Sequence, residues 1–333
     1  MVDVTYLVTG ATGHLGNVIV RKLAAQGNSV RALVLPNDPL AEELPDEVQI
    51  FSGDISQIDS LRPFFTVEGK EAIVIHSAGI VSIASKDDQR MKDINVGGIK
   101  NILRLCREFK VSKLVYVSSV HAIPELPKGE VIKEIHDFDA QKIIGPYAKT
   151  KAEATALVLE AASLGLDASV VHPSGIVGPF DYGRGHMTQL IIDYCQGRLV
   201  AGVKGGYDFV DVRDVADGVI ACCHRGKKGE CYILSNRYFS IQEVFDLLQE
   251  VTGKEKPKAV LPMWFARLTA PLSELYYKLL KQPPLYTPYS LYTLSSNAVF
   301  SHAKAGNELG YSVRPFGETI GDTVEWLRVQ RRI

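Results

Sequence analysis

The feature that most constrains this chain is a set of glycines placed between an apolar strand and an amphipathic helix. Val4–Thr9 is short, β-branched and apolar, and it runs directly into Thr9-Gly10-Ala11-Thr12-Gly13-His14-Leu15-Gly16. Helical periodicity then covers Leu15–Gln26. A strand that turns straight into a helix leaves the first helical N–H groups unpaired, with the positive end of the helix dipole behind them. Glycine permits the tight turn, the approach of a pyrophosphate to the backbone, and close packing of helix on sheet, because a Cβ would obstruct each. The loop therefore predicts a phosphate-bearing dinucleotide at Gly10, Thr12, Gly13, His14, Leu15 and Gly16. Its spacing is Gly-x-x-Gly-x-x-Gly, with Ala11 where the commoner fingerprint has glycine.

The rest of the N-terminal half repeats the alternation. Candidate strands Ser29–Val34, Val48–Phe51, Ala72–Ile75, Lys113–Val117 and Ala168–His172 are nearly continuously apolar, as strands covered on both faces are. Helical patterns occupy Gln89–Phe109 and Tyr147–Ser163, and a late strand, Cys231–Leu234, follows a helix beginning near Asp214. Such alternation predicts an α/β fold with a Rossmann-type doubly wound parallel sheet. After His172 the pattern breaks at Pro173, Pro179 and several glycines, and irregular helical segments follow, including the aromatic stretch Trp264–Lys281. These segments predict a smaller, mostly helical C-terminal substrate lobe. The division is residues 1–173 with 207–236 for the dinucleotide-binding domain, and 174–206 with 237–333 for the lobe.

In a doubly wound sheet, ligands lie at the carboxyl ends of the strands, so the closing residues carry the chemistry. Ser52-Gly53-Asp54-Ile55 ends the third strand, with Asp54 placed for an adenine amino group and Ile55 for an apolar wall. The alternative for Asp54 is a cap on the helix that starts near Ile58. Ser77, Ala78 and Gly79 follow His76 and let a cofactor cross that edge, His76 itself reading as a packed residue. Ser119 closes the fifth strand. Tyr147 and Lys151, four residues apart, share one helix face. A free tyrosine, with a pKa of about 10, is a poor proton donor or acceptor at neutral pH. A nearby ammonium and an oxidised nicotinamide favour the phenolate, while Ser119 donates to the substrate oxygen. Ser119, Tyr147 and Lys151 are the candidate catalytic group.

Taken in order, Thr9–Gly16, Asp54-Ile55, Asp93-Ile94-Asn95-Val96, Ser118-Ser119, Tyr147–Lys151, His172-Pro173-Ser174-Gly175 and Phe209–Val215 give the chain its resemblance. It resembles an extended short-chain dehydrogenase/reductase, of the NAD-dependent epimerase/dehydratase superfamily, over essentially its whole length. The resemblance implies that Lys151 also holds the nicotinamide ribose, alongside Tyr147. It implies that Asn95 supports the proton relay and the bend of its helix. Pro173, Ser174 and Gly175 fall on the loop that meets the carboxamide end.

Substrate class follows from two departures. Sugar-nucleotide epimerases and dehydratases usually carry Asn in the loop after the sixth strand and Arg before the Phe-Val-Asp-Val segment, to hold a diphosphate. Here those stretches read Pro173-Ser174-Gly175-Ile176 and Val203-Lys204-Gly205-Gly206-Tyr207-Asp208-Phe209. Lys204 or Arg184 supplies charge only if turned inward. The loop, with Leu294–Phe300 and Lys304–Tyr311, resembles the dihydroflavonol-reductase and 3β-hydroxysteroid-dehydrogenase branch instead. The lobe adds Trp264, Phe265, Leu268, Tyr276, Tyr277, Leu285 and Tyr286. The expectation is an oxidoreductase interconverting a ketone or aldehyde and a secondary alcohol on a small, largely apolar substrate. A nucleotide-sugar epimerase or dehydratase, and a non-catalytic dinucleotide sensor, are the competing readings. The second strand ends Val34-Leu35-Pro36-Asn37, offering neither the acid that favours NAD nor the arginine that favours NADP. Leu35 stands where the resembling reductases often carry arginine, leaving His14 as a partial 2′-phosphate contact. NAD is therefore expected ahead of NADP.

A formal net charge of −1 gives no field to draw nucleic acid or an anionic membrane. No apolar run reaches membrane-spanning length. The five cysteines are scattered without metal-ligand spacing, which predicts reduced thiols, no metal and, with no leader before the first strand, the cytoplasm. The resemblance further implies a homodimer through Gln89–Phe109 and Tyr147–Ser163, with Ala152, Ala156 and Leu159 as a stripe for close helix approach.

Overall fold

Strands that are apolar on both faces must be covered on both faces, and the alternating helices supply that cover. In the computed structural model, residues 4–82, 88–183, 185–199, 201–257, 259–266, 268 and 288–333 are described. Strands β1 (Val4–Thr9), β2 (Ser29–Val34), β3 (Gln49–Ser52), β4 (Glu71–His76), β5 (Lys113–Val117), β6 (Ala168–Pro173) and β10 (Cys231–Leu234) form one sheet. All its pairings are parallel, in the order β10-β6-β5-β4-β1-β2-β3. The chain winds outward from β1 to β3, then crosses back to β4 on the other side of β1. That reversal opens a crevice at the carboxyl ends of β1 and β4.

Strand period two sorts the core into two layers. Tyr6 and Val8 join Val18 and Ile19 of α1 (His14–Ala25) and Val215 and Val219 of α7 (Val212–Arg225). Leu7 faces the opposite way, toward Ile99 and Ile102 of α4 (Gly98–Glu108) and Ala148 and Val158 of α5 (Pro146–Ser163). The predicted helix Gln89–Phe109 is interrupted by a π-helical turn, Asp93–Gly97. Val48–Phe51 is displaced by one residue, to Gln49–Ser52.

The lobe is helical, as expected, in α6 (His186–Cys195), α8 (Ile241–Thr252), α9 (Pro288–Ser295) and α11 (Phe316–Val329). Two small sheets join these helices where the sequence pattern suggested only irregular helical segments. In one, β9 (Gly206–Asp211) pairs with β7 (Gly175–Val177) and antiparallel with β11 (Arg237–Ser240); in the other, β8 (Ala201–Val203) pairs with β12 (Ala259–Leu261). Because β9 lies outside the main sheet, the return to the dinucleotide-binding layer begins at α7 rather than at residue 207. Conversely α10 (Ala303–Leu309), placed in the lobe by sequence, packs through Ala305 and Leu309 onto the α1–α7 layer. Trp264, Phe265 and Leu268 are exposed. Tyr276, Tyr277, Leu285, Tyr286 and Arg184 lie outside the described residues.

The tightest junction is backbone on backbone. A Cβ on Gly16 would sit 2.0 Å from the Gly10 carbonyl oxygen, whereas one on Gly97 would meet nothing within 4 Å. Gly16→Ala is therefore expected to cost about 3 kcal/mol or more, lowering Tm by at least about 5 °C. Gly97→Ala should leave Tm unchanged or slightly higher. Thermal unfolding of both variants checks this, and equal melting points would refute the packing argument.

Candidate active site

The β1–α1 loop is built as its glycines demand. Gly10 has φ +69°, and a Cβ there would meet the Ala78 nitrogen at 2.7 Å, so the ends of β1 and β4 touch through their backbones. Gly13 begins α1 with no side-chain cap. Leu15 is buried in the core. Thr12 Oγ1 donates to Asp38 Oδ2 at 2.7 Å, and Asp38 Oδ1 accepts from the Leu40 N–H at 3.0 Å. Asp38 was not a sequence candidate; its only signal is an N-cap pattern ahead of Pro39. Leu35 is 54% exposed at the end of β2.

His14 departs from its expected place. Its Nε2–H donates to the Pro179 carbonyl at 3.0 Å, and burial lowers its pKa, so it brings no charge to a 2′-phosphate. Asp54 Oδ1 accepts from the Ser56 N–H at 2.8 Å, a local turn ahead of the helix Ile58–Phe65, which has no side-chain cap. Ile55 is buried beneath Gly98. Ser77 Oγ donates to the Thr9 carbonyl at 2.7 Å, and the Ala78 N–H reaches Thr9 Oγ1 at 3.3 Å. His76 is packed, with Nδ1 2.7 Å from Thr9 Oγ1. Gly79 is exposed beside them.

Ser119, Tyr147, Lys151 and Asn95 come together where β5 ends. Gly145, with φ +100°, and Pro146 launch α5, which puts Tyr147 in its first turn and Lys151 one turn later. The Ser119 hydroxyl lies near enough to the Tyr147 phenol to favour its ionised form. Lys151 Nζ donates to the Val117 carbonyl at 2.8 Å and to Tyr116 Oη at 3.5 Å. Asn95 stands on the π-helical turn, where Nδ2 donates to the Ile80 carbonyl and to Thr150 Oγ1, both at 3.0 Å. Its Oδ1 accepts from the Ile80 N–H at 2.8 Å. These bonds tie the π-helical turn to Ile80 and to α5.

The electrostatics differ from the expectation in one respect. Burial, the largest cause, pushes the Tyr147 phenol up and holds it protonated, although the neighbouring Ser119 hydroxyl opposes this. The Lys151 ammonium, itself pushed down to about 8 by burial, is directed at β5. Desolvation thus outweighs the predicted stabilisation of the phenolate.

The loop after β6 adds a buried pair. Ser174 Oγ donates to Asp208 Oδ1 at 2.6 Å, and the Asn236 N–H donates to the same oxygen at 3.0 Å. Asp208 Oδ2 has no partner among the described residues. Pro173 is buried, and Gly175 opens β7 against Phe209. His172 Nδ1 bonds the Ser119 carbonyl at 2.9 Å, beneath the catalytic candidates. Lys204 is exposed on the β8–β9 turn.

Alongside lies a cavity of about 190 Å³, lined in part by His121, Ile143, Tyr207, Tyr289, Asn297 and Phe300. The His121 ring stands 6.3 Å from that of Tyr147. Sequence reading missed His121, Tyr207 and Tyr289, which are distant in the chain and share no motif.

Seven parallel strands with a glycine loop at the point of reversal define a Rossmann-type α/β protein. The chain belongs to the NAD dependent epimerase/dehydratase family, which its residues 6–235 match. It is 31% identical to sterol demethylase protein B of Methylococcus capsulatus, across 97% of this chain and 98% of that protein. It is 29% identical to 3beta-hydroxysteroid-dehydrogenase/decarboxylase isoform 1 of Arabidopsis thaliana, across 84% of this chain and 66% of that one. The crystal structure of gox2253 superposes with a TM-score of 0.84 at 31% identity, covering 99% of both chains. The protein is thus an enzyme of the extended short-chain dehydrogenase/reductase type, an NAD-dependent epimerase/dehydratase-family oxidoreductase.

Burial raises the Asp208 carboxyl to about 6, against the lowering effect of its two hydrogen bonds. The unfolded chain releases this proton near pH 3.8 and the folded protein near pH 6, so stability falls as pH rises through that window. Asp208→Asn removes this term. Its Tm relative to wild type should therefore climb between about pH 4 and about pH 6.5, and a constant difference would contradict the assignment.

Proposed function

We propose that this protein is an NAD(P)-dependent dehydrogenase/reductase that interconverts a ketone or aldehyde and a secondary alcohol on a small, largely apolar substrate. The observation that carries the reading is Ser119 set beside Tyr147, with Lys151 one turn on, next to an aromatic-lined cavity. The crevice fits a dinucleotide: it lies where the strand order reverses at the ends of β1 and β4, and the α1 N-terminus, without a side-chain cap, opens on it. Gly10–Gly16 would hold the diphosphate, Asp54 and Ile55 the adenine, Ser77–Gly79 the crossing, and Pro173–Gly175 the carboxamide. NAD(H), when bound, supplies the hydride acceptor or donor.

In the reducing direction, Ser119 and Tyr147 both donate to the substrate carbonyl oxygen. Tyr147 would pass its phenolic proton to that oxygen as the carbonyl is reduced, and the Lys151 ammonium would offset the phenolate left behind. Lys151 has three donors and uses two on β5, which leaves one for a ribose hydroxyl. Asn95 acts through Thr150 by fixing α5 against the π-helical turn. The protonated state imposed by burial suits a proton donor.

Two features support the finer choices. Among the described residues the cavity offers a diphosphate Lys142 but no bidentate arginine, and Lys204 is exposed, so desolvating a diphosphate there would cost several kcal/mol. Asp38, held by Thr12 at the rim of the phosphate loop, supports NAD over NADP, since a carboxylate near the ribose would repel an extra phosphate. The reading includes a homodimer over α4 and α5. There Ala156 and Leu159 are half-buried, whereas Ala152 is fully buried in the core.

Tyr147→Phe is expected to lower kcat about a thousandfold while leaving the dissociation constant for NADH within about twofold. Turnover of a ketone panel and NADH titration by fluorescence measure both, and near-normal turnover would overturn the assignment. Leu35→Arg combined with Asp38→Asn should raise kcat/KM for NADPH relative to NADH by about tenfold or more. An unmoved ratio would place both residues away from the ribose edge.

A further inference from the structure

Beside Ser119 and Tyr147 stands a histidine that the proton transfer does not use. The His121 backbone N–H donates to Ser119 Oγ at 3.2 Å. Its ring lies on Tyr207, with centroids 5.4 Å apart and planes inclined by 16°, and it meets Tyr147 edge-on. Its Nε2 is 3.1 Å from the Tyr207 hydroxyl oxygen.

The surroundings fix where its proton sits. Burial pushes the imidazole down to about 4, so it is neutral and carries one N–H. Burial also raises Tyr207 well above its ordinary value, so the phenol keeps its hydrogen. Tyr207 is buried, and among the described residues its hydroxyl has His121 Nε2 as its one hydrogen-bond partner. A buried O–H without an acceptor is costly, so Tyr207 donates to Nε2. The imidazole proton is then on Nδ1. Nδ1 has no partner among the described residues, and His121 lines the cavity.

We propose that His121 Nδ1–H is a second substrate-binding donor, selecting carbonyl substrates that carry another acceptor oxygen one or two carbons from the reacting carbon. The inference rests on the reading that Ser119 and Tyr147 hold the reacting oxygen. The His121 and Tyr147 ring centroids are 6.3 Å apart, a span that neighbouring oxygens of one molecule would bridge. A hydrocarbon at that position would seal an unpaired N–H against apolar surface, which disfavours it. An acceptor oxygen there, with the rest of the molecule against Ile143 and Phe300, satisfies both kinds of lining. Tyr207 is the positioning residue that holds the tautomer.

The test compares cyclohexanone with 2-hydroxycyclohexanone, using NADH, in wild type, His121→Phe and Tyr207→Phe of matched Tm. Wild type should favour the hydroxyketone by about tenfold in kcat/KM. His121→Phe should bring the ratio to about one, and Tyr207→Phe to an intermediate value, with NADH affinity unchanged in both. A wild-type ratio near one, or the same ratio in wild type and His121→Phe, overturns the proposal. Ligand binding to the protein saturated with NAD, measured by saturation-transfer NMR, separates the two readings. Selective binding that His121→Phe abolishes, without turnover, upholds the role of His121 and defeats the oxidoreductase reading. Turnover without selectivity does the reverse.

Discussion

The closest constraint in this molecule is the approach of three backbone segments where β1 and β4 end. Gly10, Gly16 and Ala78 meet at distances that leave no room for a Cβ on either glycine. The contact brings the start of α1 against the edge of the sheet and sets the height of the β4 terminus beside it. Thr9 and Ser77 then tie the two strand ends by hydrogen bonds. With that edge fixed, the parallel register carries β5 to the same level, and Ser119 arrives within reach of α5.

Around that edge the balance of forces is set by desolvation. Lys151 is an ammonium buried among apolar neighbours, and its partners are a carbonyl and a tyrosine hydroxyl rather than a carboxylate. Tyr147, His121 and Tyr207 are all shifted toward their neutral forms by the same burial. Neutral donors in a confined space act through direction more than through charge, because each N–H or O–H has few acceptors within reach. The tautomer of His121 follows from one buried hydroxyl needing an acceptor, and that local rule gives the cavity its polarity.

The lobe completes the site from the far end of the sequence. A Cβ on Gly145 would lie 2.3 Å from the Tyr289 ring, so α9 is seated on the backbone that launches α5. Asn297 Nδ2 reaches the carbonyls of Leu126, Pro127 and Glu130, pinning the segment after Ser119 to the chain beyond α9. Arg213 and Arg314 clamp α7 to the terminal helix through Asp211, Asp214 and Asp322. The cavity thus has walls from both halves of the protein, held by contacts that pass through its rim.

Sequence by itself determined the parallel sheet, the glycine loop and the meeting of Ser119 with Tyr147 and Lys151. Those features rest on short-range rules: strand and helix periodicity, the demand for glycine in a tight turn, and the four-residue repeat of one helix face. The family followed from the same ordered motifs. Tertiary structure alone decided the rest. His121 and Tyr207 are 86 residues apart, and nothing local to either signals the other. Asp38 reads as an ordinary helix cap until Thr12 is seen bonded to it. His14, at the head of α1, turns to the Pro179 carbonyl because a loop from beyond β6 passes there. The small sheets of the lobe escaped notice because four of their five strands run only three or four residues, too short to show a period. Periodicity records which face of an element is buried, but the identity of the partner across that face depends on packing, and packing is where the cavity and its polarity were set.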